Sequence, residues 1–152
     1  MVIGIIGESC TGKSSLATML KDRLDAKVFS GKDYLRLAKN EQIAKKLFEQ
    51  QLAEAMSGAN LVYVIAEREH LELLPRRAVR VLMTADMDLI LERFASRMHG
   101  TLPPPVKTML ERKHGIFDGE PADFHIHNSM DTDKVSRLIV DRIKGENVSC
   151  SD

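Results

Sequence analysis

An α/β fold, with a parallel sheet covered by helices on both faces, is what this sequence predicts, and three observations predict it. Apolar runs of strand length recur at residues 2–6, 27–29, 60–66, 79–84 and 124–127. Each is followed by a stretch whose apolar residues return at helical spacing. Between the first run and the first such stretch stands Gly7-Glu8-Ser9-Cys10-Thr11-Gly12-Lys13-Ser14, a complete G-x-x-x-x-G-K-[ST] loop. Alternation of this kind gives parallel strands joined by right-handed crossovers, and gathers the loops at the carboxyl ends of the strands on one edge.

Val2-Ile3-Gly4-Ile5-Ile6 has the uninterrupted apolar character of a buried strand. After it, Gly7 and Gly12 let the chain turn tightly, so that successive N–H groups converge on phosphate oxygens. The helix from Lys13 to Leu24 carries Leu16, Met19, Leu20 and Leu24 at core positions and offers its amino end to the same anion. Lys13 is expected to reach the β- and γ-phosphates and the Ser14 hydroxyl to ligate Mg²⁺; Glu8, Ser9, Cys10, Thr11 and Ser15 complete the cradle. Cys10 is either near bound phosphate or simply a small residue at a variable loop position.

Farther on, residues 41–57 place Ile43, Leu47, Phe48, Leu52 and Ala55 on one helical face, with Gly58 and Asn60 ending the helix. Asp86 reads as the N-cap of a helix with Met87, Ile90, Leu91, Phe94 and Met98 on its core side. Gly100 to Pro105 is stiff and extended, a connector or a short substrate-covering lid, and Pro105 is placed to start a helix over 106–114. Asp131 opens a last helix bearing Val135, Leu138, Ile139 and Ile143. The chain thus reads as one domain over residues 1–145, with an acceptor-binding segment at about 31–58, a lid at about 98–113 and a flexible polar tail over 146–152.

Twenty-two basic residues balance twenty-two acidic ones, so bulk charge makes no case for a nucleic-acid polymer or an anionic membrane. The apolar runs are far shorter than the roughly 20 residues of a membrane span. The first strand lacks the basic flank of a signal peptide, and the two cysteines suggest no disulfide framework. A reducing cytoplasm is the expected setting.

Candidate chemistry clusters where strand ends are expected. Asp33 and Arg36 follow the second strand; a carboxylate there can orient an acceptor hydroxyl or help hold Mg²⁺, and an arginine can grip an anion. Asp33 as a plain N-cap is the alternative. Glu67 and Arg68 follow the third strand, as metal-water and acceptor-phosphate contacts or as an exposed ion pair. Arg93 and Arg97 share a helix face, and Arg112 and Lys113 lie beyond the prolines; such cations can neutralise a transferring phosphoryl group, or complement helix dipoles. His114 is a further phosphate contact or an exposed helical histidine. His125 and His127 alternate on one strand face without a third metal ligand.

The strings D-x-x-G and N-K-x-D of guanine-nucleotide switches are absent, and Leu61 to Glu67 lacks the aspartate of a motor ATPase strand. Small-molecule kinases remain. Gly7 to Ser14, Leu47-Phe48-Glu49-Gln50-Gln51, the strand Leu61 to Ile65 followed by Arg68, Val81 to Ala85 with Glu92-Arg93, and Asp123-Phe124-His125-Ile126-His127-Asn128-Ser129 together resemble the cytidylate kinase-like branch of the nucleoside monophosphate kinases. The resemblance implies the three-layer P-loop NTPase fold, with five parallel strands in the order 2-3-1-4-5. It also implies ATP with Mg²⁺, and γ-phosphoryl transfer to a nucleoside monophosphate. Lys13, Asp33, Arg93, Arg97 and Arg112 would serve catalysis, Asp33, Arg36 and Arg68 the acceptor, and Ser14 and Glu67 the metal. Departures are Glu67 in place of the family's glycine, a small acceptor segment, and Glu111-Arg112-Lys113-His114…Phe117 where the family has Asp-x-x-Arg…Tyr. A shikimate- or gluconate-type metabolite kinase and a non-catalytic nucleotide-binding regulatory domain are the alternatives.

Overall fold

A computed structural model of the protein describes the backbone of residues 1–149 and the side chains as far as residue 145. Five strands, β1 (Val2–Gly7), β2 (Lys27–Ser30), β3 (Leu61–Ile65), β4 (Val79–Thr84) and β5 (Phe124–His127), form one sheet in the order β2-β3-β1-β4-β5. Every pairing is parallel, with Ile5 of β1 opposite Val64 on one side and Val81 on the other. This is the expected topology. It puts the residues that follow β1 at the centre of the carboxyl edge, between those that follow β3 and β4.

Helices α1 (Lys13–Leu24), α2 (Glu41–Ala55), α3 (Met87–Arg97), α4 (Pro104–Lys113) and α5 (Thr132–Ser149) cover the sheet, with single 3-10 segments over Asp33–Leu37 and Arg68–Leu73. The two-residue alternation of a strand divides the core. Ile3 and Ile5 pack with Leu16, Leu20, Val64, Val81 and Ile139 on the face covered by α1 and α5. Val2 and Ile6 pack with Phe48, Leu52, Tyr63, Ile65 and Phe117 on the other. A smaller apolar cluster joins Cys10, Ala85, Ile90 and Leu110, with Leu102, Phe94 and Val106 against it, and so ties the proline stretch and α4 to the phosphate loop. Among the described residues no helix is long and apolar enough to cross a membrane.

Several expectations need correction. Ile43 and Leu47 are exposed, at 53% and 37%; the buried stripe of α2 is Ala44, Phe48, Leu52 and Ala55. Both stripes have helical spacing, and the aromatic cluster of Phe48 with Phe29, Tyr34 and Tyr63 decides which one turns inward. Leu138 of α5 is likewise exposed, whereas Ser136 and Val140 are buried. Asp86 is the N-cap of α3, as expected, but its carboxylate makes no capping hydrogen bond. It accepts from Asn128 Nδ2 at 2.9 Å, and its own N–H donates to Asn128 Oδ1 at 2.8 Å. The β4–β5 pairing, with Thr84 opposite His127, brings these two strand exits together.

Helix α4 starts at Pro104, one turn position ahead of Pro105, since a proline in the first turn forfeits no intrahelical bond. Helix α5 continues to Ser149, so much of the segment expected as a flexible tail is helical backbone. The rest of that tail, 150–152, lies outside the described residues.

Candidate active site

The phosphate loop joins the carboxyl end of β1 to α1. A Cβ on Gly7 would lie 2.5 Å from the Met83 carbonyl oxygen and 2.7 Å from Thr11 Oγ1, so only glycine fits against β4 here. Gly12 has φ 97°, a left-handed conformation, and a Cβ there would meet Ser129 Oγ at 2.6 Å. It is the N-cap of α1, contributes no side-chain cap, and is followed by no acidic residue in the first turn. The first N–H groups of α1 are therefore left for an anion.

Inside the loop, Thr11 Oγ1 donates to the Glu8 carbonyl at 2.8 Å, and the Lys13 ammonium donates to the same oxygen. Lys13 is buried, and burial lowers its pKa from 10.5 to about 8. The charges of Cys10 and Glu8 work against that shift, and Arg97 adds to it. Cys10 is buried against Ala85, Ile90 and Leu110, which favours its reading as a small packed residue. Ser9 is half-buried, while Ser14 and Ser15 are exposed. Ser14 lines a cleft with Thr18, Ser30 and Val64, so its hydroxyl is open to a ligand.

From α3, Arg93 donates to the Cys10 carbonyl at 2.9 Å. Arg97, one turn on, is exposed and close enough for its charge to act on Lys13. The structure thus bonds Arg93 to the loop and leaves Arg97 exposed one turn farther along α3. Arg112 of α4 is exposed and has no hydrogen bond or ion pair among the described residues.

On the other side of β1, Asp33 Oδ2 accepts from the Ser30 N–H at 3.0 Å, and Oδ1 lies 3.8 Å from Arg36. Arg36 is 85% exposed in its side chain. Glu67 Oε1 receives Lys113 Nζ at 2.7 Å. Arg68 donates to the Ile116 carbonyl at 2.6 Å and lies 3.6 Å from Glu120. Both residues after β3 are thus engaged, Glu67 with the last residue of α4 and Arg68 with the segment that follows it. A cleft of about 290 Å³ opens beside them, lined by Lys32, Tyr34, Lys45, Glu69 and His70 among others.

No group of three or more His, Cys, Asp or Glu among the described residues is arranged to hold a metal. The exposed Ser14 hydroxyl, lining the cleft beside α1, could ligate a magnesium ion whose other ligands are phosphate oxygens and water. His125 and His127 instead share the Thr84 hydroxyl, at 2.7 and 2.8 Å.

Sequence reasoning missed two features. Glu8, whose side chain is 9% exposed, directs its carboxylate at His114 Nδ1 (3.0 Å) and the Gly115 N–H (3.1 Å). His70 is buried with Nδ1 unpartnered. Neither leaves a local mark in the sequence, since Glu8 and His114 are 106 positions apart.

No protein-family model matches the sequence, and no curated protein matches it. Solved structures do resemble the chain. A gluconokinase from Sinorhizobium meliloti 1021 superposes with a TM-score of 0.60 at 15% identity, over 99% of this chain and 97% of its own. A shikimate kinase from Acinetobacter baumannii, in complex with shikimate, gives 0.61 at 17%, over 93% of both. The YorR protein from Bacillus subtilis, in complex with phosphorylated GDP, gives 0.63 at 17%, over 97% of this chain and 98% of its own. At such identities the likeness is one of fold, and that fold is the one found in P-loop kinases.

Proposed function

We propose that the chain is an ATP-dependent phosphotransferase that moves the γ-phosphoryl group of ATP to a small-molecule acceptor. The observation that carries this reading is the phosphate loop with its open helix end, Lys13 inside it and Arg93 bonded to its Cys10 carbonyl. Gly7 to Ser15 would hold the triphosphate, and Ser14 the Mg²⁺, which supplies charge neutralisation to the phosphates when bound. Lys13, Arg93, Arg97 and Arg112 would stabilise the charge that spreads over the phosphoryl oxygens. The bond from phosphorus to the β,γ-bridging oxygen breaks as the acceptor oxygen bonds phosphorus; ADP departs, and a hydroxyl acceptor passes its proton to the Asp33 carboxylate or to water. Closure of the segment over 98–113 would exclude water. A cytoplasmic setting, where ATP is supplied, is part of this reading.

Two acceptor classes follow. A hydroxyl-bearing metabolite of the shikimate or gluconate type is favoured by Asp33, whose Oδ2 is fixed by the Ser30 N–H while Oδ1 is held only by a solvent-exposed ion pair with Arg36 at 3.8 Å. It is favoured also by Arg68, expected to anchor an acceptor phosphate but engaged with Ile116 and Glu120. A nucleoside monophosphate, the acceptor the family resemblance implies, is supported by the exposed Arg36 guanidinium at the same strand end.

The test is ADP formation from ATP·Mg²⁺ with shikimate, gluconate and a panel of nucleoside monophosphates, beside Lys13→Ala. Acceptor-dependent ADP that disappears in the variant is the expected result. ATP binding with no response to any acceptor would move the protein to the nucleotide-binding regulatory class.

A further inference from the structure

The end of α4 and the chain beyond it are fastened to two strand exits at once. After β1, the Glu8 carboxylate accepts from the His114 ring and the Gly115 N–H. After β3, Glu67 holds Lys113 at 2.7 Å, and Arg68 holds the Ile116 carbonyl at 2.6 Å and Glu120 at 3.6 Å. Phe117 and Leu110 anchor the same stretch in apolar clusters on either side. Glu8 has a double role: its carbonyl accepts from Thr11 and Lys13 within the phosphate loop, while its buried side chain grips residues 114 and 115.

The grip has a chemical consequence. Consecutive helical residues point about 100° apart, so Arg112 and Lys113 leave the last turn of α4 in different directions. Arg112 is the exposed one. Lys113 lines a small niche with Glu8, Ser9 and Ala66, beside the loop and the end of β3. Its ammonium spends one of three N–H donors on Glu67 and keeps two.

We propose that Lys113 is a catalytic cation of the site, contacting the γ-phosphoryl group, and that Glu67 and Glu8 are its positioning residues, the first holding the ammonium and the second the backbone that follows it. This rests on the phosphotransferase reading and adds a residue to it. Glu67 then orients a cation instead of meeting the metal.

The test is calorimetric binding of β,γ-imido-ATP·Mg²⁺ and of ADP·Mg²⁺ to the full chain. Lys113→Met is expected to weaken the triphosphate analogue about tenfold, since charge-assisted contacts to phosphate are strong, and to leave ADP within about twofold. Lys113→Arg should recover most of the loss. Lys107→Met, on the same helix and paired only with Glu111 at 4.0 Å, should change neither ligand. Glu8→Ala should reproduce the analogue-selective loss, and Glu8→Gln, which keeps an oxygen for the Gly115 N–H, should lose less.

An unchanged Lys113→Met, or equal losses on both nucleotides, would overturn the assignment while leaving the phosphotransferase reading in place. A wild-type chain that binds neither nucleotide would remove that reading and this inference with it. Lys113 is nearly half exposed, so its variants report on binding even if Glu8→Ala melts early.

Discussion

The two halves of the site, on either side of β1, are built by opposite means. The phosphate half is made by backbone: Gly7 against the Met83 carbonyl, Gly12 in a left-handed turn, and Thr11, Lys13 and Glu8 buried around one carbonyl oxygen. The proposed acceptor half is made by charged side chains at the surface, Asp33, Arg36 and Arg68, in ion pairs that water can replace. A backbone cradle cannot be changed by one residue without being lost. A rim of solvated charges can be exchanged while the fold stays as it is, and can therefore be tuned to different acceptors.

The largest effect is expected at Gly7. In Gly7→Ala the new Cβ meets a strand carbonyl that cannot move alone, and overpacking of this kind costs about 1–3 kcal/mol. A lowered thermal midpoint together with lost ATP binding is the expected outcome; a variant that melts and binds like wild type would show the loop to be looser than its geometry.

Next is Lys13→Ala, which removes the one cation inside the loop and should cut turnover about 10²–10³-fold. The same residue sets a pH dependence. Its ammonium, lowered to about 8 by burial, is charged below that value and neutral above it in the free protein. Binding of the anionic ligand needs the charged form, so ATP affinity should fall by about fivefold from pH 8 to pH 9. A flat titration of affinity across that range would contradict it.

Asp33→Asn comes third and separates the acceptor classes. Loss of most turnover with a hydroxyl acceptor, and an effect of about tenfold or less with a monophosphate, would fit Asp33 as hydroxyl orienter. The smallest effect is expected at the exposed Lys107–Glu111 pair. Lys107→Ala should shift stability by no more than about 0.5 kcal/mol, read by chemical denaturation.

The same contrast explains what the sequence made legible. The phosphate half is contiguous, and its spacing expresses a local backbone requirement, so residues 7–14 could be read directly. Strand positions were readable because each strand is a short apolar run, and parallel pairing follows from the helices between them. The rest of the proposed site draws on pairs distant along the chain, such as Glu67 with Lys113 and Arg68 with Glu120, and no local pattern selects these partners. The misplaced faces have a similar cause. Ile43 with Leu47 and Ala44 with Phe48 are equally periodic, and only contact with Phe29, Tyr34 and Tyr63 chooses between them.

The most direct test of the central reading is transfer of label from γ-labelled ATP to an organic acceptor, with wild type and Lys13→Ala side by side. Label should appear in one acceptor class with the wild-type chain and be lost in the variant. ATP held by the loop with no label passed to any acceptor, or equal transfer by Lys13→Ala, would contradict a phosphotransferase built on this loop.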